Sequence, residues 1–181
     1  FSLCSAIRKF TDTPAIIAMD KKSALVQPLF NRITDLGGSL MISDYHSIEN
    51  MVTKNTLLIV LDTHRPSMLE YPALLYEVGN TVVIDHHRKA VDHIANAVIF
   101  YHETSASSAS EMVCELLQYI SEGVVGRIEA ESMLAGIMLD TRGPELRIGG
   151  LERPIIHLEK DKTIRINYSN IIGNQDMISV S

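Results

Sequence analysis

The chain has 181 residues, 46% hydrophobic and 21% charged, with a formal net charge of -6. That balance suits a globular protein with a sizeable core and excludes an extended basic groove for nucleic acid. No apolar run approaches the ~20 residues of a membrane helix and no signal peptide is visible, so a reducing, intracellular setting is expected.

The sequence opens in a helical pattern over residues 2–10 and continues into a strand over 15–19. A helix over 23–35, a short strand over 39–42 and a short helix near 46–52 follow. Residues 57–61, Leu57-Leu58-Ile59-Val60-Leu61, form an apolar strand that ends in Asp62-Thr63-His64. A helix near 71–78 leads to a second apolar strand, over 81–84, that ends in Asp85-His86-His87. A strand over 97–101, a helix over 107–120 and a helix over 127–139 complete the alternation. Ser108 and Glu111 have the spacing of a capping box. This order predicts an α/β fold with a mainly parallel sheet flanked by helices. Beyond Asp140 the texture changes to short strands over 146–148, 155–158, 163–166 and 177–180. The reading is therefore one domain over 1–141 and a short β-rich tail over 142–181, with the boundary between Leu139 and Arg142.

In open α/β sheets ligands bind beyond the carboxyl ends of the strands, where Asp62 and the Asp85-His86-His87 triplet emerge. Carboxylate and imidazole groups gathered there suit a transition-metal ion. Asp140, at the end of a helix, can join them. The bland alternative for the triplet is a turn with solvated side chains. Arg65 and Arg88 suit phosphate oxygens or bulk water equally well. His64 is left out of the site, and His46, His93, His102 and His157 show no partner pattern. Met112, Met133, Cys4 and Cys114 read as core.

The triplet, together with Val60-Leu61-Asp62-Thr63-His64-Arg65-Pro66-Ser67 and Leu134-Ala135-Gly136-Ile137-Met138-Leu139-Asp140-Thr141, resembles the DHH phosphoesterase family. Within that family the wording is similar to the bacterial cyclic-di-AMP phosphodiesterases. The resemblance covers about residues 1–141. It implies that Asp62 bridges two Mn²⁺ ions and that His86 and Asp140 bind the second. It also implies that Asp85 orients a histidine and that His87, with Arg88 beside it, faces the substrate phosphate. In such centres two cations ~4 Å apart acidify a bridging water and neutralise phosphoryl charge. The family's first metal motif is expected ahead of Phe1, so this N-terminally truncated fragment is expected to hold one Mn²⁺ at most.

The expected function is metal-dependent phosphodiester hydrolysis, of cyclic-di-AMP or a related dinucleotide, impaired in this fragment. A non-catalytic module that binds nucleotide or metal is the alternative. A short oligonucleotide is the other substrate class, a homodimer is possible, and the location is cytoplasmic, with membrane tethering common in full-length family members. The stretch Leu139-Asp140-Thr141-Arg142-Gly143-Pro144-Glu145-Leu146-Arg147 resembles a pyruvate kinase signature. That makes residues 139–181 similar to the start of that family's lid domain. A pyruvate kinase fragment is thus a further reading, without activity of that kind, because at most one strand of the required barrel is present.

Overall fold

The computed structural model describes residues 1–19, 27–120, 123–141 and the strand residues 155–158, 164–167 and 177–180. The elements run α1 (Ser2–Thr11), β1 (Ile17–Ala18), α2 (Gln27–Asp35), β2 (Ile42–Ser43), α3 (Tyr45–Ile48) and β3 (Leu57–Leu61). Next come α4 (Leu74–Glu77), β4 (Asn80–Asp85), β5 (Ile99–His102), α5 (Ala109–Ile120) and α6 (Arg127–Thr141). Three further strands, β6 (Ile155–Leu158), β7 (Ile164–Asn167) and β8 (Met177–Val180), pair antiparallel in that order.

The architecture is α/β with parallel sheets and flanking helices, as expected, but the strands divide into two sheets before the tail. β1 pairs with β2 alone, and β3, β4 and β5 form a three-stranded parallel sheet in chain order. The first pair is shorter than its apolar wording suggests. Ala15 and Ala18 contribute little β-propensity, and Met41 takes a left-handed φ of 50° that delays the start of β2. The helix expected near 71–78 shrinks to α4 because Pro72 and Gly79 bracket it. The short strand expected over 146–148 lies outside the described residues.

β4 is the central strand, and its continuous apolar run follows from burial on both faces. Ile84 faces one core with Leu3 and Ala6 of α1, Met112, Val113 and Leu117 of α5, and Ala130 and Met133 of α6. Val83 and its register partner Val60 face the other, against Ile94 and Phe100. This two-residue alternation sends successive side chains to opposite cores while the strand delivers Asp85 to its end. Cys114 is buried in the first core, whereas Cys4 is only half-buried, 3.9 Å from the Met41 sulfur. Met112 and Met133 are core, as expected.

α5 and α6 approach closely at Gly136, where an added Cβ would lie 2.1 Å from Ser110 Oγ and 3.0 Å from Ser110 Cβ. Alanine gains about 1 kcal/mol over glycine in helix propensity, but overpacking costs about 1–3 kcal/mol. Gly136→Ala is therefore expected to lower the urea-unfolding free energy, and Ser110→Ala to restore part of the loss. A more stable Gly136→Ala chain would show that the helices part without strain.

Candidate metal centre

β3 and β4 end side by side, and the ladder continues one step beyond them, with the Asp62 N–H donating to the Ile84 carbonyl at 3.0 Å. Asp62 then takes a left-handed φ of 65°. Aspartate tolerates that region better than most residues, and the turn carries the chain off β3 into Thr63 and His64. Asp140 sits in the last turn of α6.

The structure gathers these ends. His86 Nε2 lies 3.2 Å from Asp62 Oδ1 and 3.6 Å from Asp140 Oδ2. Despite those distances it makes no hydrogen bond, and the atom is buried. The two observations agree once alignment is considered: the nitrogen is close to both carboxylates but not directed along a hydrogen bond to either. A buried imidazole nitrogen lodged between two carboxylates is the donor set of a transition-metal ligand site. Asp62 fits the same reading. Burial, and then the charge of Asp140, push its carboxyl above the usual aspartate range, against the pull of His87 and His86. A divalent cation would relieve both strains.

Asp85 is fully buried at the end of β4. One of its oxygens pairs with His64 Nδ1. The other accepts the His87 backbone N–H at 3.2 Å and pairs with His87 Nδ1 at 2.8 Å. Burial pushes the Asp85 carboxyl up, but the hydrogen bonds from His64 and His87 outweigh it and hold it below its ordinary value. The hydrogen bond to Asp85 raises His87 in turn, against a smaller opposing effect of burial.

Asp62, His86 and His87 offer ligand atoms within 4.8 Å of one another, and so do His64, Asp85 and His102. The second trio is already bonded internally: His64 Nε2 accepts the Ala90 N–H at 2.8 Å, and His102 Nε2 meets the His87 carbonyl. Both His64 nitrogens and His102 Nε2 are committed, and His87 Nδ1 is taken by Asp85, so Asp62 and His86, with Asp140, are the groups placed to hold an ion.

A cavity of about 430 Å³ opens beside these residues, lined by Asp62, His87, Arg65, Arg88 and Met68 among others. Every site residue expected from the sequence therefore lies at or beside one place. His64 and His102 were not expected there. The signal for His64 was present, since it follows the β3 end as His87 follows the β4 end. Nothing in the wording around His102 marks it. Ser108 and Glu111 form a cap: Ser108 Oγ accepts the Glu111 N–H at 3.1 Å, and Glu111 accepts from the Ser107 backbone at 2.7 Å. No helix among the described residues is long and apolar enough to cross a membrane.

A family model described as "DHH family, N-terminal domain" matches residues 4–138. The chain is 47% identical over 100 residues to the cyclic-di-AMP phosphodiesterase GdpP of Geobacillus thermodenitrificans, covering 55% of this chain and 15% of that protein. It is 36% identical over 148 residues to the cyclic-di-AMP phosphodiesterase PdeA of Listeria monocytogenes, covering 79% of this chain and 22% of that protein. The chain thus spans less than a quarter of the length of these relatives. An exopolyphosphatase-related protein from Bacteroides fragilis shares the fold, with a TM-score of 0.62 at 19% identity over 78% of this chain and 41% of its own. The family match stops short of the tail and gives no support to the pyruvate kinase resemblance.

Proposed function

The chain belongs to the DHH family, and from that premise we propose that its site is a divalent-metal phosphodiesterase centre for a cyclic dinucleotide, cyclic-di-AMP. The observation that carries this reading is the buried, unbonded His86 nitrogen between Asp62 and Asp140. The relatives named cyclic-di-AMP phosphodiesterases support the substrate. In this reading Asp62, His86 and Asp140 hold the ion, and their mixed oxygen and nitrogen donors suit Mn²⁺. When bound, it supplies Lewis-acid stabilisation of phosphoryl charge.

The chain's own groups supply the rest. His87, fixed through Nδ1 by Asp85, lines the cavity and has its Nε2 left for the substrate. The hydrogen bond to Asp85 raises its affinity for a proton, which suits it to protonate the leaving ribose oxygen as the P–O bond breaks and water adds to phosphorus, the water losing its own proton to solvent. Arg88 and Arg65, both on the cavity wall, suit the non-bridging oxygens. The volume of about 430 Å³ lies within the range of small-molecule sites. The same reading takes residues 1–141 as the catalytic unit and 142–181 as a separate unit.

Among the described residues, Asp62, His86 and Asp140 supply the donors for one ion, and the His64–Asp85–His102 group is bonded internally. We expect slow turnover from a single ion, and the second reading is a binding module for nucleotide or metal. A single-turnover assay with the chain in excess over cyclic-di-AMP separates them. Mn²⁺-dependent appearance of the linear dinucleotide, lost in Asp62→Asn, is the expected result. Binding of cyclic-di-AMP with no cleavage at saturating Mn²⁺ would leave the binding role in its place.

A further inference from the structure

His64 is almost completely enclosed, 1% exposed, yet both ring nitrogens and its carbonyl are in use. Its Nε2 accepts the Ala90 N–H at 2.8 Å, and its carbonyl accepts the Ile94 N–H at 2.9 Å. A nitrogen that accepts a backbone N–H carries a lone pair, so the ring proton sits on Nδ1. That Nδ1–H is directed at Asp85 Oδ2. His64 is thereby held as one neutral tautomer by its surroundings.

The consequence reaches the cavity through Asp85. A buried carboxylate has two oxygens to satisfy, and here they are divided: Oδ2 for His64, Oδ1 for the backbone and ring of His87. With Oδ2 occupied, the carboxylate cannot rotate to offer His87 a different oxygen or a different angle. His64 also ties down both ends of the segment that follows the triplet, through Ala90 and Ile94, and His102 holds the His87 carbonyl.

We propose that His64 is the positioning residue of this site: by occupying Asp85 Oδ2 it fixes the Asp85 carboxylate so that His87 is held as its Nδ1–H tautomer with Nε2 toward the cavity. The catalytic meaning of that arrangement rests on the function proposed above, whereas the tautomer itself does not.

Two substitutions divide the work of the ring. In His64→Asn the side-chain amide can still donate where Nδ1 stood, and in His64→Gln the carbonyl can still accept where Nε2 stood. The ring ¹⁵N shifts of His87, measured on the metal-free full chain at alkaline pH where imidazole is neutral, report its tautomer. The Nδ1–H form is expected in the wild type and in His64→Asn. His64→Gln keeps the Ala90 anchor but leaves Asp85 Oδ2 without a donor, so the Nε2–H form is expected to appear. Where turnover is measurable, kcat is expected to fall on the order of 10- to 100-fold in His64→Gln with KM little changed, and to recover in His64→Asn. A melting curve on each variant separates loss of fold from loss of position. A His87 tautomer unchanged in a folded His64→Gln chain overturns the proposal, as does a change that follows melting temperature equally in both variants. A His64-dependent tautomer in a chain that never cleaves cyclic-di-AMP upholds the positioning role and refutes only the assigned reaction.

Discussion

Replacing His86 with alanine is expected to abolish the stabilisation that Mn²⁺ gives the chain while leaving the metal-free fold almost unchanged. The two halves of that result come from one atom. His86 Nε2 makes no hydrogen bond, so its removal breaks none, and the metal-free unfolding free energy is expected to move by less than about 1 kcal/mol. Bound metal stabilises the wild type by about 2.7 kcal/mol at a hundredfold excess over its dissociation constant. Without the imidazole that linkage collapses, and catalytic loss on the order of 10³-fold accompanies it, the several kcal/mol a metal centre supplies. Asp62→Asn gives the companion signature. Burial and the Asp140 charge raise the Asp62 carboxyl, which means its ionised form is disfavoured in the folded state. Removing that charge is expected to stabilise the metal-free chain and to weaken Mn²⁺ binding at once. Melting curves with and without Mn²⁺ check both variants. An equal Mn²⁺-induced shift in wild type and His86→Ala would remove the ion from this site.

What the sequence made legible follows from where its signals are local. β3 and β4 are apolar runs with acids at their ends, and both the strands and the place where Asp62 and Asp85 emerge could be read from residues a few positions apart. The convergence of Asp140 was legible chiefly through the resemblance, because 54 positions separate it from His86 and a helix end by itself does not point to a strand end. His64 stays out of the metal set because the resemblance gives its position a structural or substrate-adjacent role rather than a ligand's. Its role exists only once β3 and β4 lie side by side and bring Asp85 against it. The short β1 and β2 were over-read for the opposite reason: their composition is apolar enough, but the left-handed Met41 backbone is not visible in composition.

Glu129 shows most plainly what local reading misses, and it carries the largest stability effect expected. A glutamate in the first turn of α6 reads as a solvated charge, yet it is 4% exposed. One oxygen accepts Ser5 Oγ at 2.6 Å and Lys9 Nζ at 2.7 Å, and the other accepts the Gly126 N–H at 3.0 Å. The last of these is half of a capping box, satisfying a donor that precedes the helix, and the first two tie α1 to α6 across more than a hundred residues of chain. Burial alone would raise this carboxyl, but the hydrogen bonds from Lys9 and Ser5 overcome it and hold the group below its ordinary value near 4.5. A carboxyl with a depressed folded value stabilises the fold above its unfolded value, and that contribution disappears as pH falls through the folded one. Glu129→Ala is expected to cost about 2–3 kcal/mol at neutral pH, the range for hydrogen bonds to a charged group. The difference between wild type and variant is expected to narrow as pH drops below that ordinary value, because the wild type then loses what the variant already lacks. Urea unfolding of both chains across that acid range measures it. A difference that stays constant with pH would mean that Glu129 acts by packing alone and that its charge does not join α1 to α6.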